Sequence, residues 1–164
     1  MFEASPSIVQ STADIIIRVK DTAYLDYELR ERISIVIEAK PVNAAANAIG
    51  NTVDVTLNLT NVNDETPKFD HFQQTVSIPE NVTITFSVAT VLARDADKND
   101  DGNNFGKVTY RIDPPDANFG IDSTRGLIST KTTLDRETKD SYYITIVAED
   151  GGHSKVGSKT GLIV

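Results

Sequence analysis

The chain is dominated by short segments in which β-branched residues alternate with polar ones. Residues 52–62 read "TVDVTLNLTNV", with an apolar side chain at every second position from Val53 to Leu59. A period of two places these side chains on one face of a strand. Residues 13–21, "ADIIIRVKD", and 32–40, "RISIVIEAK", have the same β-branched character. No segment sustains the 3.6-residue apolar period of a helix, so the pattern favours sheet.

The second half of the chain continues in the same style. Strand-like segments are separated by Gly, Pro, Asn and Asp at the short spacing that is typical of a β-sandwich. These segments are "QQTVSIPEN", "SVATVLARD", "KVTYRID", "GLIST", "YYITIVAED" and "KTGLIV". The sequence therefore predicts an all-β fold.

Composition narrows the possible classes of protein. Of 164 residues, 24 are Asp or Glu and 16 are Lys or Arg. This excess of acidic residues excludes nucleic acid as a partner, because a protein that binds phosphates needs a stripe of Lys and Arg. The absence of Cys excludes disulfides and zinc-thiolate sites and leaves oxygen-ligated metal. The apolar runs are far shorter than the roughly 18 residues of a membrane span. The first residues do not resemble a signal peptide, so we expect an export signal upstream.

An internal repeat indicates two modules. "LDYE" at 25–28 precedes a strand-like segment ending in "IVIEA", and "LDRE" at 134–137 precedes one ending in "TIVAED". A Phe-led segment lies ahead of each. We therefore predict that residues 1–65 are the C-terminal part of one module plus a linker, and that residues 66–164 are a complete module. In the joint, "NVNDETPKF", Pro67 prevents continuous strand pairing.

The acidic stretch "ARDADKNDDGNN" at 93–104 raises the question of a metal site. Asp97 to Gly102 match the opening of an EF-hand loop, but Val108 stands at the twelfth position, where that loop requires a bidentate Glu. Asp95 and Asp97 instead lie two apart at the end of an extended segment, so both side chains can point to one side. Taken alone, the pair is also consistent with a solvated turn.

Further oxygen-bearing side chains lie at other strand ends and in the joint. Ca²⁺ binds about six to eight oxygens at about 2.3–2.6 Å, and a junction between two sandwiches can bring that many together. Without a cation, the same carboxylates would repel one another and raise each other's pKa. The residues concerned are Asp26, Glu28, Asn63, Asp64, Glu65, Asp95, Asp97 and Asp150.

Five motifs along the chain resemble those of cadherin extracellular repeats. "LDRE", "DAD", "PEN", "VAEDGG" and "NVNDETPKF" are similar to the usual calcium-binding forms LDRE, DxD, PE, AxDxG and DxNDNxPxF. The resemblance covers essentially the whole chain. It implies Ig-like Greek-key β-sandwich cadherin repeats in tandem, with Ca²⁺ as the bound ion.

The resemblance also implies which residues bind the ion. In the linker, Asn61 replaces the usual Asp, and Glu65 replaces the usual Asn. The Glu should be tolerated if this position ligates through its backbone carbonyl oxygen. The Glu from the opening "PE" of the first repeat is missing, so the ion nearest the second repeat should be held best. The implied ligands at the junction are Asp26, Glu28, Asn63, Asp64, Glu65, Asp95, Asp97, Asn104 (through its backbone oxygen) and Asp150. A second, incomplete site that should bind weakly comprises Glu80, Asp135 and Glu137.

By the same resemblance, the chain is expected to be an ectodomain segment of a calcium-dependent adhesion or recognition receptor and not an enzyme. It would lie outside the cell on a single-pass plasma-membrane protein, with Ca²⁺ stiffening the linker. The expected partners are other cadherin-type ectodomains, of the same or a different kind, or an extracellular protein ligand. Two alternatives are a receptor for a heterologous ligand such as a bacterial pore-forming toxin, and a secreted calcium-dependent enzyme domain, which no catalytic motif supports.

Two further features concern the surface. The sequons at Asn58 and Asn81 predict N-glycosylation. The chain has no Trp, which is the anchor of cadherins that exchange an N-terminal strand. An adhesive surface is therefore expected elsewhere in the parent protein.

Overall fold

The computed structural model describes residues 2–43, 45, 49–71, 73–100, 102–152 and 157–163. It describes only the backbone of residues 157–160, 162 and 163. The chain divides into two compact units, residues 1–61 (unit 1) and residues 62–164 (unit 2). No helix among the described residues is long and apolar enough to cross a membrane.

Unit 1 contains two antiparallel strand pairs, β1 with β2 and β3 with β4. Between the pairs, Asp21 begins a short 3₁₀ helix, Thr22–Tyr24, by accepting a hydrogen bond from Ala23 N. The strands are β1 (Phe2–Ser5), β2 (Ile16–Val19), β3 (Arg32–Ala39) and β4 (Asn51–Asn58).

The β3–β4 pair shows the alternation that the sequence predicts. Ile33 lies opposite Leu57 and Ile35 opposite Val55, so these apolar side chains share one face of the pair. All four are half-buried, and no described residue of unit 1 is fully buried. The part of unit 1 that the structure describes thus has paired strands without a closed core.

The described residues of unit 2 form nine strands in three sheets. β10, β11 and β7 form one sheet in that order, and β6, β13, β12 and β9 form a second. β5 pairs with β8. All pairs are antiparallel except the parallel β6–β13 pair. The strands are β5 (Lys68–Phe69), β6 (Gln73–Thr75), β7 (Ser87–Thr90), β8 (Ala93–Arg94), β9 (Thr109–Ile112), β10 (Phe119–Ile121), β11 (Leu127–Thr130), β12 (Tyr143–Glu149) and β13 (Gly157–Ile163).

One buried cluster joins the two larger sheets of unit 2. Phe119 from β10 and Ile128 from β11 are fully buried with Ile144 and Ile146 from β12. Fully burying one such side chain stabilises a fold by about 1.5–3 kcal/mol. The remaining members are Val88, Val91, Ala93, Tyr110, Ile112, Leu134 and Ala148. The inward-facing residues of two sheets thus form the core of a sandwich.

The all-β prediction is confirmed, and each segment named from its β-branched pattern contains at least one strand. The strands without such a pattern are β1, β5 and β10, which have two to four residues each. Segments this short carry too few alternations to be recognised by period.

Candidate metal centre

The repeated L-D-x-E motif forms the same kind of turn in both units. The Asp26 carbonyl accepts a hydrogen bond from Arg30 N at 3.1 Å, and the Asp135 carbonyl accepts one from Lys139 N at 3.0 Å. Each Asp carboxylate also caps its own turn, with Leu29 N donating to Asp26 Oδ1 at 2.8 Å. Both turns lead into the long antiparallel pairs β3–β4 and β12–β13. The turn leaves Asp26 and Glu28 half-buried in unit 1.

Seven of the predicted ligands lie in unit 2 in segments next to its strands, and we call them the linker cluster. Three precede β5, three lie in the loop between β8 and β9, and one follows β12. The linker cluster comprises Asn63, Asp64, Glu65, Asp95, Asp97, Asn104 and Asp150.

The Asp95-x-Asp97 pair connects to the residues before β5. Asp97 N donates to Asp95 Oδ1 at 2.9 Å, which folds the pair into an Asx turn. Glu65 N donates to Asp97 Oδ2 at 3.3 Å. A carboxylate oxygen of Asp64 lies within 4.8 Å of one of Asp97. The structure therefore brings these four predicted ligands together.

Asp150 is the most deeply buried acid of the linker cluster, with 1% of its surface exposed. Its Oδ1 accepts hydrogen bonds from Gly152 N at 2.8 Å and from Asn63 Nδ2 at 3.3 Å. Asn104 lies beside the same turn, since a Cβ added at Gly151 would overlap the Asn104 carbonyl oxygen. That oxygen also accepts a hydrogen bond from Lys107 N at 3.0 Å. Asp150 is thus adjacent to predicted ligands from two other segments.

The electrostatics of Asp95 fit a site that a cation would complete. Burial raises the pKa of the Asp95 carboxyl above its ordinary value, a backbone hydrogen bond from Asp97 opposes this, and the charges of Asp150 and Glu65 add to the rise. Asp95 Oδ2 is buried and has no hydrogen-bond partner among the described residues. A buried acceptor without a partner is costly unless a cation binds it.

The chemistry of the linker cluster suits a hard cation. Its side chains offer carboxylate and amide oxygens only, and the buried oxygens include Asn63 Oδ1 and Asp97 Oδ1 beside Asp95 Oδ2. Ca²⁺ prefers all-oxygen sites of this kind, whereas zinc sites are dominated by His and Cys. The residues present therefore fit Ca²⁺.

The Glu65 side chain forms an ion pair with a lysine of the same unit. Lys68 Nζ lies 3.0 Å from Glu65 Oε2, and both side chains are substantially exposed. Ligation of an ion through the backbone carbonyl of residue 65 stays a prediction from the sequence motif.

A second carboxylate group lies elsewhere in unit 2, and we call it the far cluster: Glu80, Asp135 and Glu137. Their carboxylate oxygens lie within 4.8 Å of one another, and all three residues are exposed. The Thr138 hydroxyl, 2.7 Å from Asp135 Oδ2, is the main cause of a lowered pKa at Asp135. A backbone hydrogen bond lowers the pKa of Glu137. The Glu80 charge, a hydrogen bond to Asp135 and desolvation raise it, and their combined effect is larger, so the pKa of Glu137 is raised.

Both predicted glycosylation sites are accessible. Asn58 is the last residue of β4 and is exposed. Asn81 is exposed in a turn with a φ of 57°, a left-handed conformation that Asn tolerates better than most residues. Its backbone N–H donates to the Leu134 carbonyl at 3.0 Å, which fixes the turn.

Comparison with known families decides what the fold is. Residues 74–164 match the family model described as "Cadherin domain", which is more than half of the chain. The chain belongs to the cadherin family. It is 33% identical over 154 residues to Cadherin-86C of Drosophila melanogaster, a match covering 91% of this chain and 8% of that protein. It is 37% identical over 151 residues to Cadherin-23 of Homo sapiens, covering 92% of this chain and 4% of that protein.

Solved cadherin structures share the fold. Repeats EC22-24 of mouse Cadherin-23 superpose with a TM-score of 0.72 at 24% identity, covering 91% of this chain and 45% of theirs. Repeats EC1-3 of the mouse clustered protocadherin PcdhgC3 give a TM-score of 0.73 at 21% identity, covering 100% and 51%. The predicted all-β fold class, with a β-sandwich of the kind found in cadherin repeats, is confirmed.

Cadherin membership settles several coarser predictions. The chain is a non-enzymatic module, and it belongs to the extracellular part of a plasma-membrane protein. It spans less than a tenth of the length of the two relatives described above.

Sequence reasoning missed three residues that lie against the linker cluster. It assigned no role to Lys68. It quoted Gly151 and Gly152 as part of a motif but predicted no structural role for either residue. The available signals were a basic residue three positions after Glu65 and two successive glycines directly after an Asp.

Proposed function

We propose that this cadherin segment binds Ca²⁺ at the linker cluster and serves in a calcium-dependent adhesion or recognition receptor. Buried Asp95 Oδ2, which no protein group satisfies among the described residues, carries the proposal. Its neighbours Asp97 and Asp150 are 5% and 1% exposed, so the site concentrates negative charge away from water. A bound cation would satisfy these oxygens and remove their mutual repulsion.

We further propose that Asp26 and Glu28 of unit 1 contribute to the same ions, as the cadherin motifs imply. Ligands drawn from two units would be satisfied together in a single relative orientation, so the joint would be stiff with Ca²⁺ and flexible without it. Rigidity of this kind would let a series of repeats act as a defined spacer on the cell surface.

Small-angle scattering of the whole chain in Ca²⁺ and in chelator tests this function. The maximum dimension should be well defined in Ca²⁺, and chelator should broaden the distribution of distances. The double variant Asp95→Asn, Asp97→Asn should resemble the chelated chain in both conditions. The matched control is Asp14→Asn, Asp54→Asn, which removes two exposed acids of unit 1 and should behave like the unsubstituted chain. Identical profiles with and without Ca²⁺ would rule out stiffening.

The proposed domain boundaries follow the same motifs. Residues 66–164 would be one complete repeat, and residues 1–65 the C-terminal part of the preceding repeat with its linker. The closed core of unit 2 supports this division, as does the absence of fully buried residues in the described part of unit 1. A fragment of residues 62–164 should unfold cooperatively with the melting temperature that unit 2 has in the whole chain. A fragment that does not fold would contradict the division.

The proposed partners are other cadherin-type ectodomains. Beads coated with the parent ectodomain should aggregate in Ca²⁺ and disperse in chelator, and mixing differently labelled ectodomains would distinguish like from unlike pairing. Aggregation that is indifferent to chelator would contradict a calcium-dependent partner.

We also propose N-glycans at Asn58 and Asn81, because both side chains are exposed. Secretion from a glycosylating host should give a mass that peptide N-glycosidase lowers, and Asn58→Gln and Asn81→Gln should each remove one increment. A mass equal to that of the bare chain would contradict both sites.

A further inference from the structure

The segment Asp150-Gly151-Gly152 meets the linker cluster at three successive positions. Asp150 supplies a buried carboxylate, and each glycine after it lies against a different ligand-bearing segment. A side-chain carbon added at Gly151 would overlap the carbonyl oxygen and Cβ of Asn104. One added at Gly152 would overlap the side-chain amide of Asn63.

The Asn63 amide is held from two sides. Its Nδ2 donates to Asp150 Oδ1, and its Oδ1, the atom that would ligate a cation, is buried. The space that this amide occupies exists only because residue 152 has no Cβ, since a Cβ there would lie closer to the amide than real Cβ atoms approach. Gly152 itself is held by its own N–H, which donates to the same Asp150 oxygen at 2.8 Å.

The same reasoning applies at Gly151, where the atom that a Cβ would meet first is the backbone carbonyl oxygen of Asn104. The Asn104 carbonyl belongs to a turn closed by Lys107 N, so it cannot yield by a change of rotamer. A methyl group at residue 151 would have to shift the loop between β8 and β9, which carries three predicted ligands. Two segments far apart in sequence are therefore placed by adjacent glycines.

We infer that Gly151 and Gly152 are positioning residues of the calcium site: they contribute no ligand, but they set where Asn104 and Asn63 present their oxygens. This inference rests on the proposed calcium binding. Residues that orient metal ligands typically change metal affinity by about 10- to 100-fold when substituted. We expect Gly151→Ala and Gly152→Ala to weaken Ca²⁺ binding by a factor in that range.

The test is calorimetric Ca²⁺ titration of the whole chain, with thermal unfolding in chelator as a second measurement. Gly120→Ala is the matched control, because the three atoms nearest to a Cβ at this β10 glycine would belong to the flexible side chain of Lys131, the first of them 3.2 Å away. We expect both site variants to lose affinity while melting in chelator close to the unsubstituted chain, and Gly120→Ala to keep its affinity.

A double-mutant cycle separates positioning from a general structural effect. Asn63→Gly removes the side-chain atoms that a methyl group at residue 152 would meet. If Gly152 acts through Asn63, adding Gly152→Ala to Asn63→Gly should change the affinity by less than about twofold. An equal loss in both backgrounds would overturn the inference for Gly152, and a Gly151→Ala chain that binds like the unsubstituted one would overturn it for Gly151. Failure of either variant to fold in chelator would assign that glycine to the fold instead.

The outcomes also distinguish this inference from the proposed function. If the unsubstituted chain takes up no Ca²⁺, the calcium site fails and this inference fails with it. If the unsubstituted chain and both alanine variants bind Ca²⁺ equally, only the positioning role fails.

Discussion

The Asn63 side chain donates a 3.3 Å hydrogen bond to Asp150, a residue 87 positions later in the chain. This bond ties the segment before β5 to the end of β12, the longest core strand with described side chains in unit 2. Since Asp150 is 1% exposed, its position is fixed by the sandwich. The linker cluster is therefore built on the rigid part of the fold, which is where a precise ion site belongs.

Tyr110→Phe should destabilise unit 2, because the Tyr110 hydroxyl is buried between β8 and β9. It accepts a hydrogen bond from Ala93 N at 2.9 Å and donates one to the Ala93 carbonyl at 3.4 Å. Removing it leaves a buried N–H without this partner, which costs about 1–3 kcal/mol. Denaturant unfolding in chelator measures the loss. Tyr143→Phe, at an exposed side chain of β12, is the control and should change little.

Ala93 and Arg94 form β8, the strand that leads directly into Asp95. Tyr110→Phe should therefore also weaken Ca²⁺ binding through the position of Asp95. An unchanged free energy of unfolding would show that the hydroxyl does not hold β8.

The Asp122 carboxylate should make the stability of unit 2 depend on pH. Its Oδ1 accepts hydrogen bonds from Thr124 N, Thr124 Oγ1 and Arg125 N, each at 2.9 Å, in the turn between β10 and β11. These bonds, first the one from Arg125 N, lower the pKa of Asp122 in the folded state. A lowered folded-state pKa stabilises the fold above the unfolded-state pKa, and the contribution disappears as pH falls through the folded-state value.

Asp122→Asn removes the charge and keeps an acceptor oxygen for the turn. The free energy of unfolding in chelator should be higher for the unsubstituted chain than for the variant at neutral pH. The gap should close as pH falls below about 4, near the ordinary pKa of Asp. Asp116→Asn, in a turn where Asn118 N and Phe119 N donate to the carboxylate, offers a comparison at another Asx turn. A gap for Asp122→Asn that is independent of pH would contradict the assignment.

The far cluster should bind Ca²⁺ more weakly than the linker cluster. It brings together three exposed carboxylates, whereas the linker cluster has buried oxygens on Asn63, Asp95 and Asp97 and a buried carboxylate at Asp150. Fewer ligands and more exposure both reduce affinity. Glu80→Gln should remove a weak phase from a calorimetric titration and leave the tighter phase unchanged. Loss of the tighter phase would show that the assignment of the two sites is reversed.

The sequence predicted the fold because its strongest patterns are local. Alternation from Val53 to Leu59 is sufficient to predict a strand, and Ile33 opposite Leu57 shows how such a face is used. β5, with two residues, is stabilised by pairing with β8 and has no local pattern of its own. Pairing of that kind depends on tertiary structure.

The candidate site was predicted in its residue types and not in its geometry. The motifs named Asp95, Asp97 and Asp150, and the structure of unit 2 places them next to Asn63 and Glu65. They did not indicate that Lys68 would pair with Glu65, nor that two glycines would lie against Asn63 and Asn104. Close approaches between segments far apart in sequence follow from packing, which a single sequence does not display.

Calorimetric titration of the whole chain with Ca²⁺ tests the central claim most directly. The unsubstituted chain and the exposed-acid control Asp14→Asn, Asp54→Asn should bind at least one ion with the same affinity. The double variant Asp95→Asn, Asp97→Asn should lose most of that heat, because it removes the charge on the buried carboxylates that a cation would satisfy. A tighter phase that survives in the double variant, or no binding by the unsubstituted chain, would contradict a calcium site at the linker cluster.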